Sequence, residues 1–141
     1  MDFQKIKMGY LIRLDEDEEV LSSIKDFCTQ KKIYSASISG LGAAKSAEIA
    51  HYDTKEKKYY TKKLEGMLEV VFLVGNISKL KNAPMAQIQI ALGFPDFSTV
   101  SGHVMKIIVN PTCEINLLVN TGKVERKFDE KSGLNLQCFV K

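Results

Sequence analysis

No stretch of the chain is rich in proline, serine or glycine, none is of low complexity, and no apolar run approaches the length that crosses a bilayer. Those absences argue against linker-separated domains and against a transmembrane helix. The 141 residues, 45% of them apolar, suit one domain over residues 1–141. Met1-Asp2-Phe3-Gln4-Lys5 leads into a mixed segment rather than the apolar core of a signal peptide, so a soluble, cytoplasmic protein without membrane contact is expected. Cysteine is sparse. Cys28, Cys113 and Cys138 are odd in number, widely separated and without CxxC or Cys/His spacing, which argues against a disulfide framework or a structural zinc knot and for buried free thiols. Charge of one sign is also scarce: a net +3 and a pI near 8.7 fall short of the clustered positive charge of a strong nucleic-acid binder.

What is present reads mostly as strands. Tyr10 to Leu14 forms a first strand, and Asp15 to Asp17 offer N-cap candidates for a following helix. Val20, Leu21, Ile24, Phe27 and Cys28 then make one apolar stripe on a helix ending near Lys31 and Lys32. Ser35 to Ile38, Ala47 to Tyr52 and Lys57 to Leu64 read as separate strands divided by glycine or charged turns. Leu68 to Val74 is apolar at almost every position, as a central strand buried on both faces beneath the helix would be, with Gly75-Asn76 at its end. Gln87 to Leu92 alternates, placing Ile88, Ile90 and Leu92 on one face and Gln87, Gln89 and Ala91 on the other; Cys113, Ile115 and Leu117 alternate against Glu114 and Asn116. Asn120-Thr121-Gly122 is a hairpin-turn candidate before strands at Val124 to Phe128 and Leu136 to Val140. One helix among many strands predicts an α+β domain, a predominantly antiparallel sheet with the helix packed on one face.

The passage from Pro84 to Val119 carries a further signal. Gln87-Ile88-Gln89-Ile90-Ala91-Leu92, Gly102-His103-Val104 and Thr112-Cys113-Glu114-Ile115 follow in order, preceded by Ser39-Gly40-Leu41-Gly42-Ala43, Leu64-Glu65-Gly66, Glu69-Val70 and Gly75-Asn76-Ile77. Order and spacing resemble the PPC (plant and prokaryote conserved) domain, whose members carry an HxHxxL strand, a later Gly-His-[Leu/Val] and a closing Thr-Cys-Glu-[Val/Ile]. The resemblance spans nearly the whole chain and implies the PPC fold and assembly as a homotrimer. In this sequence Gln87 and Gln89 replace both histidines of the first motif.

By that resemblance, Gln87, Gln89 and His103 occupy the family's metal-site positions, with Glu114 expected in a polar layer near His103. Three imidazoles at this spacing would hold zinc; two neutral amides and one imidazole make a poor transition-metal site, so no metal or other cofactor is expected. The trio can serve as a pocket for a small polar or anionic ligand, or its members can satisfy one another across a subunit interface. No catalytic set is visible. Gly40 to Lys45 lacks the spacing of either phosphate loop and reads as a glycine turn, and His51 reads as a structural residue.

PPC domains accompany AT-hooks in plant nuclear proteins, and bacterial single-domain forms are described as DNA-binding, so the resemblance implies a DNA-binding or regulatory role. No AT-hook core is present here. DNA contact would fall to Lys57, Lys58, Tyr59, Lys62 and Lys63, where lysines interleave with tyrosines. The segment implicated in partner contact in plant PPC proteins corresponds to Gly66 to Val71, with Met67 in place of its arginine. The alternative is a trimeric ligand-binding or protein-interaction module rather than an enzyme.

Overall fold

In the computed structural model, which describes residues 1–139, eight strands and one helix run in the order β1 (Asp2–Ile6), β2 (Gly9–Asp15), α1 (Val20–Lys31), β3 (Ala36–Asp53), β4 (Lys58–Leu80), β5 (Ala83–Gly93), β6 (Thr99–Val119), β7 (Glu125–Asp129) and β8 (Leu134–Cys138). Apart from a single parallel bridge between β4 and β7, every pairing is antiparallel. β3 pairs with β4, β4 with β5, β5 with β6, and β6 back with β3, so four long strands close into a ring. β2 and then β1 extend the sheet from the C-terminal half of β6, and the β7–β8 hairpin joins at the end of β4.

The expected stripe forms α1, with Val20, Ile24, Phe27 and Cys28 buried in the common core and Leu21 packed at its margin. Phe27 meets Phe3 and Tyr10 edge-on at 5.0 Å each, a geometry that aromatic rings prefer. The helix begins later than Asp15 to Asp17 suggested. Its cap is Glu19, whose carboxylate accepts from the Leu21 and Ser22 amides and from Ile107 in β6, tying the helix start to the sheet. Lys32 ends it in a left-handed conformation at φ 56°. α1 packs against β5 and β6 rather than over Leu68 to Val74.

Three turns expected from glycine are not turns. Ser35 to Ile38 and Ala47 to Tyr52 belong to the single strand β3, and Gly40 and Gly42 lie at bulges within it. A Cβ on Gly40 would sit 2.6 Å from the Glu114 carbonyl oxygen, and one on Gly42 2.6 Å from the Cys113 Cα, so these glycines admit the backbone of β6. Gly75-Asn76 likewise does not end a strand, because β4 continues to Leu80. Gly122 bends the chain at φ 95°, but it leads from β6 to a hairpin that docks on β4, so Asn120-Thr121-Gly122 is a crossover and not a hairpin turn.

Leu68, Val70 and Leu73 are buried, yet Val71, Phe72 and Val74 are exposed. A bulge between Val70 and Phe72 turns two consecutive apolar residues outward, so the run is buried on one face only. In β5 Ile88, Ile90 and Leu92 are buried and Gln87 and Gln89 face outward as expected, while Ala91, expected beside the glutamines, is buried too; Cys113, Ile115 and Leu117 are buried against exposed Glu114 and Asn116. Val140 of the last expected strand lies outside the described residues.

Candidate functional site

The outward row of β5 meets β6 where Gln89 is the cross-strand neighbour of His103, and on the other side of β6 His103 neighbours Ala50 of β3. Gln89 Nε2 lies 3.5 Å from His103 Nδ1, the long limit of a hydrogen bond. Tyr59, from the far arm of β4, stacks on the His103 ring with centroids 5.5 Å apart and planes inclined by 30°. Tyr52 backs Tyr59 at 4.8 Å and donates its hydroxyl hydrogen to the Ser132 carbonyl, anchoring the aromatic wall to the β7–β8 loop. These residues line a cavity of about 670 Å³ that also takes in Gln87, Asn76, His51 and Ser101. Burial pushes the His103 pKa below its ordinary value, so its ring is neutral at pH 7. Burial likewise raises the Tyr59 phenol, with Tyr52 adding to it.

The structure thus brings Gln87, Gln89 and His103 around one cavity and separates Glu114 from them. Glu114 is eleven positions further along β6, opposite Arg13 of β2 and Leu41 of β3, and it lines a different surface cleft with Asp2 and Arg13. The expected Glu114–His103 polar layer does not form: β6 is too extended a strand to return Glu114 to the same site. His51 stands on the cavity wall rather than in the interior.

Asn76 and Arg126 escaped the sequence reading. Arg126, in β7, is 8% exposed, and all three of its nitrogens donate to neutral oxygens: Nε to Ser78 Oγ at 2.5 Å, and the terminal nitrogens to the Asn135 carbonyl at 2.7 Å and Asn76 Oδ1 at 2.9 Å. Gln137 Nε2 also donates to Asn76 Oδ1, at 3.3 Å. A guanidinium can only donate, so Oδ1 is fixed as the end of the Asn76 amide that faces it. Desolvation lowers the Arg126 pKa, with no carboxylate among the described residues opposing it. The one available signal was its rarity, as one of only two arginines in the chain.

The lysines expected to meet DNA lie on the arm formed by the end of β3 and the start of β4. Asp53 accepts from the Lys55 and Glu56 amides and shapes its tip. Lys57 Nζ donates to the Glu130 carbonyl, and Lys58 pairs with Glu56 at 2.9 Å while lying 4.9 Å over the Tyr60 ring. Lys62 and Lys63 are exposed without an ion pair among the described residues. Tyr59 turns into the cavity, leaving Tyr60, half exposed, as the outward aromatic.

Around the cavity stand the His103 imidazole, the neutral amides of Gln87 and Gln89, which are weak ligands for a transition ion, and a second imidazole, His51, on the wall. Among the described residues no group of three or more His, Cys, Asp or Glu side chains is placed to hold a metal. No described helix is long and apolar enough to cross a membrane.

A sequence model of the Plants and Prokaryotes Conserved (PCC) domain matches residues 1–120. Among solved structures, a candidate DNA-binding protein from Bacteroides thetaiotaomicron is similar at TM-score 0.95 and 28% identity, with 98% of this chain and 96% of that one covered. A metal-containing protein from Archaeoglobus fulgidus is 35% identical at TM-score 0.88, covering 99% of this chain and all 100% of that one. A plant- and prokaryote-conserved protein from Pyrococcus horikoshii is 33% identical at TM-score 0.87, with 99% and 96% covered. No curated protein matches the chain.

Proposed function

The chain belongs to the Plants and Prokaryotes Conserved domain family, and from that premise we propose that it is a DNA-binding module with a regulatory role. Its likeness to the Bacteroides protein supports the reading. The observation that carries it is the β3–β4 arm, where Lys62 and Lys63 stand exposed on a stretch of β4 that pairs only with β3. Cations on an unpaired edge discourage strand-to-strand aggregation and at the same time meet phosphates. With a net charge of only +3, binding is electrostatic and sequence-tolerant, steeply weakened by salt. The exposed Phe72 and Val74 on the outer face of β4 support assembly of the module as a homotrimer.

Fluorescence anisotropy against random and A·T-rich duplexes at two salt concentrations tests the reading. Binding at low salt that weakens steeply as salt rises supports it, and Lys62→Ala with Lys63→Ala should lower the salt slope by about 2, near one unit per lost phosphate contact. Absence of binding at low salt overturns it. A second reading, a small-ligand module, draws on the cavity beside His103, whose size falls within the range of small-molecule sites.

A further inference from the structure

Among the described residues, the cavity beside His103 is lined by no acidic and no basic side chain apart from its histidines, while immediately behind its wall sits a buried guanidinium without a counter-ion. A desolvated cation costs free energy unless an anion compensates it, and the three oxygens around Arg126 are all neutral. Asn76 connects the two. Its oxygen is occupied by Arg126 and Gln137, which leaves the NH₂ end of the same amide, a donor only, for the cavity that Asn76 lines. His103 supplies a ring N–H from β6, beyond β5 on the same cavity, and Ser101 and Tyr59 add hydroxyls that can donate.

We infer that this cavity binds a small free oxyanion, a carboxylate or phosphate ester, held by Asn76 Nδ2 and His103, with Arg126 as a positioning residue that orients Asn76 and supplies the positive charge. The inference rests on the ligand-pocket reading and deepens it by fixing the sign of the ligand's charge. The titratable side chains facing the site are His51, Tyr52, Tyr59 and His103, so nothing in the wall repels an anion. The β7–β8 hairpin, which brings Arg126 and Gln137 to Asn76, is then part of the site and more than a lid on the sheet. Tyr59 closes the opposite side by its stack on His103, so a ligand carrying an apolar or aromatic body beyond its oxyanion meets Tyr59, Phe72 and Val74.

The test follows the His103 ring by NMR, together with thermal melting, in phosphate, in acetate, in neutral acetamide, in duplex DNA and in chloride of matched ionic strength. Phosphate or acetate should raise the His103 apparent pKa by about 1 unit, as a nearby negative charge does, and lift Tm by about 4 °C at tenfold excess over Kd. Asn76→Asp removes the donor and installs a resident counter-ion for Arg126. It should fold with undiminished thermal stability and lose both responses. Arg126→Lys keeps the charge but not the fork, and should weaken the response without abolishing it. Equal anion responses in wild type and Asn76→Asp would mean an adventitious ion only, and would overturn the proposal. A response to acetamide but not to anions would overturn the charge assignment while leaving the ligand-pocket reading intact. Silence of His103 toward all probes would overturn both and leave Arg126 as a clamp for the hairpin. A response to duplex DNA alone would place a backbone phosphate at the site and overturn the free-anion assignment.

Discussion

Arg126 holds the Asn76 side-chain oxygen at 2.9 Å and Ser78 Oγ at 2.5 Å, so a single guanidinium from β7 fastens two residues of β4. Ser78 is fully buried and has no other hydrogen-bond donor to its oxygen among the described residues. Arg126→Met relieves the desolvation of the charge but orphans the Ser78 hydroxyl and leaves the Asn76 oxygen with Gln137 as its donor. Unmet buried acceptors cost more than the relief returns, and a net loss of about 2 kcal/mol is expected in urea denaturation. An unchanged midpoint would show that the hairpin is held by its apolar contacts instead.

His103 gives the fold a pH dependence of defined sign. Burial depresses its folded pKa, whereas the unfolded chain takes up the proton near pH 6.5. The unfolded state therefore binds more protons as pH falls through about 6.5, and the stability associated with neutral His103 is present above that value and lost below it. His103→Gln should lose less stability than wild type between pH 7.5 and 5 in urea titrations. Parallel losses in the two proteins would rule this out.

Phe97, at the tip of the β5–β6 turn, is 95% exposed and holds φ at 65°. A bulky residue in the left-handed region is strained and here gains almost no burial in return. Phe97→Gly should stabilise the fold by about 1 kcal/mol, as should Lys32→Gly at the helix C-cap. Thermal melts of the two variants and their combination provide the check, with additive gains expected because the sites share no partner. A loss of stability in Phe97→Gly would show that the ring packs in solution against something.

The three cysteines should separate cleanly by reactivity. Burial pushes the Cys28 thiol up to about 12 and, with Glu114 nearby, the Cys113 thiol to about 11. Cys138 is only half-buried, unlike the three buried thiols expected from sequence. Iodoacetamide at pH 8 should label Cys138 in the native state and Cys28 and Cys113 only after unfolding, as read by peptide mass spectrometry. Rapid native labelling of Cys28 would contradict the packing of α1 on the sheet.

Periodicity identified the elements that bury one face: the α1 stripe, the Ile88-Ile90-Leu92 row and the Cys113-Ile115-Leu117 row all lie as their spacing requires. It failed where glycine does something other than reverse the chain. Gly40 and Gly42 look like a turn in one dimension because their real cause, the passage of the β6 backbone, comes from residues more than sixty positions away. Similarly, the apolar run Leu68 to Val74 could not reveal that a bulge would expose Val71 and Phe72 together. β1 went unread because Asp2 to Ile6 is mostly exposed and carries no alternation.

The candidate site was half legible for the same reason. Gln87, Gln89 and His103 could be named from motif order, and cross-strand pairing does bring Gln89 to His103. Asn76 and Arg126 could not, since one read as the end of a strand and the other lay unmarked within a short late strand. Glu114 shows the converse error, a residue close to His103 in motif order but carried away by the length of β6.

The ring made by β3, β4, β5 and β6 has a kinetic meaning. Its closure depends on β3 pairing with β6 from Ala36 opposite Val119 to Ala50 opposite His103, segments that must find each other across most of the chain. Such remote pairings are entropically late, so folding is slow for a chain of this size and no half of the molecule persists without the other. Beyond the β3–β4 arm, the closed circuit of strands also has no outermost member from which to fray. Amides along the middle of β3, bonded on both sides, should exchange with solvent only when the entire molecule opens, which makes them the internal clock of its global unfolding.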